Sequence, residues 1–140
     1  MSAPLYTTEI LRLAALLGEP RELEREDGRA ELRSPTCGSR VTLAVQLDEQ
    51  GCVQALSQQV HACAFGQASA ALMERGAIGR GHKDASEALL AISAWLAGQS
   101  DDPSACPGFE ALAPARSRTA RHGAILLPFR ALLAAIESAR

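Results

Sequence analysis

Apolar residues recur at helical spacing near the start of the chain. Ile10, Leu13, Ala14 and Leu17 share one face, and Pro4 suits a first-turn position, so a helix is expected from about Pro4 to Leu17, ended by Gly18 and Pro20. The charged stretch RELEREDGRA then reads as a solvated connector. The period changes to two in VTLAVQL: Val41, Leu43, Val45 and Leu47 point one way, Thr42, Ala44 and Gln46 the other. Strands are expected at about Ala30–Arg33, across Val41–Leu47 and at about Cys52–Val60. Asp48-Glu49-Gln50-Gly51 forms the turn between the last two, with its left-handed residue late. Short strands with tight links make an antiparallel meander.

After Cys63 the pattern becomes helical. AFGQASAALMERG is rich in small residues and ends at Gly76; Lys83–Leu96 follows, with Asp84 able to cap and Leu89, Ile92 and Leu96 inward. GQSDDPSACPG is a loop by composition, and a short helical turn holds Phe109 and Leu112. The last helix starts near Thr119, buries Leu126, Leu127, Leu132, Leu133 and Ile136, and meets a kink or distortion at Pro128. The fold class read from this order is α+β: an N-terminal helix, a three-stranded antiparallel sheet, then C-terminal helices packed on it.

Composition narrows the picture. A chain of 140 residues suits one domain, and with aromatics at 4% the core must be built from alanine and leucine. The net charge of −2 provides no global positive field to gather phosphates, which argues against nucleic-acid partners. No apolar run reaches about 18 residues, so no membrane span is expected. The N-terminal apolar section has no basic leader, and a cytoplasmic location is expected. In that compartment four cysteines point away from a disulfide framework and toward metal ligation, sulfur chemistry or plain burial.

Two of those cysteines sit at strand ends. Cys37 lies just before the second strand and Cys63 just after the third, and in an antiparallel hairpin the start of one strand lies beside the end of the next. The two thiols are therefore expected to be neighbours. Cys63 also precedes a helix, whose positive end favours a thiolate. Burial as inert core cysteines is the competing reading. Two thiolates do not close a metal site, since an open zinc site usually takes three protein ligands. His61, His122, Cys52, Cys106 and Ser39 are the other donors to consider. His61 is expected to face solvent, His82 to be a polar loop residue, Cys52 to be structural at the far end of the hairpin, and Cys106 to lie in an exposed loop. ARSRTAR, with Arg116, Arg118 and Arg121, is either a solvated helix start or a basic docking surface.

SPTCGSRVTLAVQLDEQGCV, HACAFGQASAALM and FEALAPARSRTARHGAILLPFRALLAAI together resemble the iron–sulfur scaffold family of IscU, SufU and the N-terminal domain of NifU. The first is similar to the family's Pro-x-Cys-Gly-Asp element. The second resembles its Gly-Cys followed by small residues, and the third the SufU-type ending with an Arg-Ile-Lys-Cys-like motif. The resemblance spans nearly the whole chain and implies one SufE/NifU-like domain over residues 1–140. It implies cysteine and aspartate ligands for zinc or a nascent cluster. Cys37 and Cys63 match the first two cysteines, Ser39 stands at the aspartate, and the third cysteine falls at Ala124, with Arg121 at the preceding basic position.

What the resemblance implies for function is a scaffold binding iron, zinc or a transient iron–sulfur cluster through Cys37 and Cys63, with His122 as third donor. Its implied partners are a cysteine desulfurase and iron–sulfur acceptor proteins. A homodimer pooling two cysteine pairs would also complete the site. The chain is not expected to be an enzyme, since no His and acid are placed beside either thiol, although a sulfur relay is conceivable. The alternative is a degenerate member acting as an interaction module for the desulfurase or another assembly factor.

Overall fold

Helix, sheet and helices follow in that order in the computed structural model, which describes residues 6–35, 38–103 and 106–139. Helix α1 spans Thr8–Ala15, and the Thr7 hydroxyl accepts the Ile10 N–H at 3.1 Å, so the helix begins later than apolar spacing alone implies; Pro4 lies outside the described residues. Strands β1 (Gly28–Arg33), β2 (Arg40–Leu47) and β3 (Val53–His61) form an antiparallel sheet in sequence order. Arg33 pairs with Arg40 and Arg40 with His61, which fixes one end of the sheet. At the opposite end Asp48 closes the β2–β3 turn, its Oδ1 accepting the N–H groups of Gln50 and Cys52, and Gly51 adopts φ of +83°. A register shift at Gln46/Leu47 marks a bulge there, and Leu47 is only half-buried.

The inner face of the sheet carries Val41, Leu43, Val45, Val53 and Leu56, all at 0–1% exposure. Helices α2 (Ala64–Ala77), α3 (His82–Leu96) and α4 (Thr119–Ser138) complete the layer, with a 3₁₀ helix over Phe109–Ala115. Helix α4 packs on β1, β2, α2 and α3, and α1 packs on α2. The α+β architecture read from the sequence is therefore the one observed.

Few aromatic residues are present, and all of them pair. Trp95, Phe109 and Phe129 form a chain of edge-to-face contacts at 5.8 and 5.7 Å, which ties α3, the 3₁₀ helix and α4 together. Tyr6 and Phe65 make a further such pair.

One expectation changes. The charged connector is pinned to the sheet rather than merely solvated. Arg21 donates from its backbone to the Ser57 hydroxyl (2.9 Å) and from Nε to the Leu56 carbonyl (3.1 Å), while Asp27 accepts the Leu47 N–H at 2.7 Å. Pro20, Arg21 and Leu23 line one groove with Ala44 and Ser57, and Ala44 on the outer face is 4% exposed. Helix α4 runs on through Pro128, as expected, and a contact from another helix meets it there. A proline cannot donate to the carbonyl four residues back and crowds its neighbour. Here the Ser69 hydroxyl, from α2, donates to the Ile125 carbonyl at 2.6 Å beside that gap.

Candidate functional site

The sheet end that holds the Arg33, Arg40 and His61 pairings is where α2 begins and where the β1–β2 turn returns. Cys37 lies outside the described residues. Around it, the Ser34 N–H donates to the Ser39 carbonyl (2.8 Å) and the Gly38 N–H to the Ser34 carbonyl (3.1 Å), so the described part of the turn is held by its own backbone. Ser34 and Ser39 are both buried.

Cys63 is half-exposed and occupies the N-cap of α2, in extended backbone at φ −67°, ψ 172°. It follows β3 directly, so the strand ends and the helix starts on either side of its sulfur. No acidic residue stands in the first turn of α2. The helix dipole and the orphan N–H groups there favour negative charge on a nearby atom. The Gln67 side chain steadies the junction by donating to the Ala62 carbonyl at 2.9 Å.

Helix α4 reaches this corner because Gly66 lets it. A Cβ at Gly66 would lie 2.7 Å from the Ala62 Cβ, 3.2 Å from the Ala124 carbonyl oxygen and 3.4 Å from the Ala124 Cβ. Ala124, which the resemblance aligns with the third cysteine, is thus set against the first turn of α2 at 1% exposure. Arg121 lies one turn earlier on α4. Tyr6, just before α1, stands over the same corner, its ring edge-on to Phe65 with centroids 5.0 Å apart. Burial first raises the Tyr6 hydroxyl above its ordinary range. The neighbouring Cys63 sulfur adds to this by its charge and by a hydrogen bond, and the Arg121 guanidinium pulls the other way.

The other sequence candidates scatter. His122 is half-buried, and its Nε2 faces the carbonyls of Ala115 (2.9 Å) and Arg116 (3.1 Å), where the protonated nitrogen donates and fastens α4 to the 3₁₀ helix. His61 is exposed. His82 opens α3 and pairs with Glu137 at 3.1 Å, so it is not a simple loop residue. Cys52 lies near Gly81, at the far end of β3 from Cys63. Cys106 is buried rather than exposed: Phe109 and Leu112 draw its loop inward, its thiol faces the Leu72 carbonyl, and burial pushes it up to about 11. Among the described residues no three His, Cys, Asp or Glu side chains cluster to hold a metal.

The basic run also divides. Arg116 is spent inside the fold, donating to the carbonyls of Trp95 (2.9 Å) and Ser100 (3.0 Å) with its guanidinium 5.1 Å from the Trp95 ring centre. Arg118 is exposed, and Arg121 is half-buried and near enough to Tyr6 for its charge to act on that hydroxyl. Sequence reasoning passed over Tyr6. The signal available was the position of the only tyrosine immediately before a helix cap.

Comparison with known proteins follows the same outline. No family model matches the chain, and no curated protein matches it by sequence. Among solved structures, it is similar to the N-terminal part of a nitrogen-fixing NifU-like protein from Brucella abortus. That match has 30% identity and a TM-score of 0.84, covering 96% of this chain and 94% of that one. A second, from the thermophile Fervidobacterium islandicum AW-1, is a candidate iron–sulfur cluster assembly scaffold for the SUF system. It shares 23% identity at a TM-score of 0.84, covering 94% of this chain and 96% of that one.

Proposed function

The chain belongs to the IscU/SufU/NifU N-terminal-like family, and from that membership we propose that it works in iron–sulfur cluster assembly as a scaffold or carrier. Its cargo in this reading is iron, zinc or a labile cluster, or sulfur in relay, taken up through Cys37 and Cys63. The observation that supports it best is the corner itself. A half-exposed cysteine caps a helix at the sheet end where the Cys37-bearing turn returns, and the start of α4 is packed against that same helix end. His122 enters this scheme only through Nδ1, since its Nε2 is held by two carbonyls.

What the residues offer is capture rather than a closed cage. Thiolates are the ligands of choice for zinc and for iron–sulfur clusters. Ser39 and Ala124 supply neither a carboxylate nor a third thiolate, so remaining positions fall to outside thiols, a second copy or His122. A cargo held this way leaves readily, which suits delivery to an acceptor protein. The supply of sulfur would come from a cysteine desulfurase.

The test is anaerobic purification with metal analysis, followed by reconstitution with ferrous iron and sulfide. The expected result is zinc or iron bound, or sulfide-to-iron charge-transfer absorption on reconstitution, and loss of both in Cys37→Ser/Cys63→Ser. Absence of metal and of cluster absorption in the wild type would contradict it.

A second reading is favoured by Ala124, which places a methyl group where the family ligand stands. In it the chain is an interaction module for a desulfurase or another assembly factor. Partner capture undiminished in the double cysteine variant, together with no metal, would support that reading over the first.

A further inference from the structure

The edge strand β1 leaves part of its backbone without partners. The Ser34 N–H donates toward β2, to the Ser39 carbonyl. By strand alternation Leu32 and Ala30 also turn their N–H and C=O groups to β2, while Arg29, Glu31 and Arg33 turn theirs outward. Arg29 bears out this parity, since its N–H is taken from the outer side by the Ser138 hydroxyl of α4 at 2.8 Å. Among the described residues nothing bonds to the outward groups of Glu31 and Arg33, and both residues are exposed. The edge of β3 differs: Val53 is paired by Gly79 and Arg80, and Leu56 and Gln58 are buried.

The charges along β1 are unevenly matched. Arg29 pairs with Glu26 at 2.7 Å, and Glu31 accepts the Thr42 hydroxyl at 3.1 Å. Arg33 stands opposite Arg40, a like charge, and no carboxylate of the described residues pairs with it. Between them Leu32 is only half-buried on the inner face.

We propose that this edge of β1 joins a second copy of the chain, antiparallel about a twofold axis at Leu32. Glu31 of each copy then lies opposite Arg33 of the other, and each such pair exchanges its two outward backbone hydrogen bonds. Leu32 meets Leu32 of the second copy at the closely spaced position between the pairs. The charges select this register. An axis at Glu31 sets Glu31 against itself and Arg29 against Arg33, and an axis at Arg33 sets arginine against arginine. An axis at Ala30 needs the Arg29 N–H that Ser138 already holds. In the selected register the next outward positions are Arg29 and Pro35, one with its N–H engaged and the other with none, so the ladder stops there. Charged side chains guard exposed edges against open-ended pairing, and here they confine it to one closed dimer. The proposal does not rest on the assembly reading. The turns that follow the two Arg33 residues lie at opposite ends of the joint ladder, so each sulfur corner is left to its own chain.

The experiment is sedimentation velocity of the full chain from micromolar to near-millimolar concentration. A chelator and a thiol reductant are present, so that metal-bridged and disulfide-bridged species do not form. Wild type is expected to show a concentration-dependent dimer. Glu31→Arg and Arg33→Glu are each expected to raise its dissociation constant about tenfold or more, because each turns both cross-strand pairs into like charges. An equal mixture of these two variants is expected to recover the dimer, and so is the doubly substituted Glu31→Arg/Arg33→Glu chain, which also shows that the variants are folded. A wild type that stays monomeric throughout overturns the proposal. A dimer that neither variant weakens overturns it as well, as does a mixture that associates no better than its components. No readout involves bound metal, so failure of the assembly reading and failure of this one are seen separately.

Discussion

Ala124 is the residue that the resemblance aligns with the family's third cysteine, and its surroundings bear on what a ligand there would do. Its methyl group is set against Gly66 beside the N-terminus of α2, at the corner that Cys63 caps. Ala124→Cys is expected to tighten zinc binding by about tenfold or more, measured by competition with a chromophoric chelator. An unchanged affinity would mean that α4 does not present this position to the metal. Cys106 makes the opposite case. Burial disfavours its thiolate and pushes the thiol up to about 11, above the ordinary thiol range. The folded state therefore holds this proton more tightly than the unfolded chain does. That contribution is fully present below about pH 9 and is lost as pH rises through 11, on the order of 2 kcal/mol over the window. Urea titrations across this range should show a steeper stability loss in wild type than in Cys106→Ala. Equal slopes would mean that the thiol is not buried as described. The placement of Cys63 was legible because the end of a period-two run and the start of a small-residue helix bracket it. The roles of Tyr6 and Arg116 were not, because each depends on a partner far away in sequence.

At the scale of elements, the least obvious device is the passage of α4 through Pro128. Pro128 removes the donor to the Ala124 carbonyl, which faces Gly66, and the Ser69 hydroxyl of α2 donates to the next carbonyl, that of Ile125, so α2 bonds to the distorted turn beside the gap. Ser69 is fully buried, and its loss removes a buried hydrogen bond to a carbonyl of the distorted turn. Ser69→Ala is expected to lower stability by about 0.5–1.5 kcal/mol, seen as a shifted urea midpoint with an unchanged m value. A midpoint unchanged from wild type would mean that the seam accommodates Pro128 without this hydroxyl. Sequence alone marks Pro128 as a fault in the helix, yet periodicity cannot show a hydroxyl on another helix that bonds to the turn beside it. The connector before β1 is a similar case. Its charges read as solvated, while Arg21, Arg25 and Asp27 fix it to β2 and β3 through the backbone.

Across the whole molecule, a core poor in aromatic residues brings three chain segments to one end of a small sheet. Small side chains permit this: glycine and alanine along α2 and α4 allow close helix approach, and the buried aliphatic face of the sheet supports both. The strand order and the helices that cover it followed directly from hydrophobic spacing, whereas the sharing of one corner by α1, α2 and α4 depends on packing that spacing does not encode. The account as a whole turns on whether Cys37 and Cys63 bind one metal together. X-ray absorption at the zinc edge of the zinc-loaded protein measures that most directly. The predicted result is two sulfur scatterers at about 2.3 Å from zinc, falling to one in either Cys37→Ser or Cys63→Ser. A zinc shell containing only nitrogen and oxygen, or a sulfur count unmoved by both variants, would contradict it.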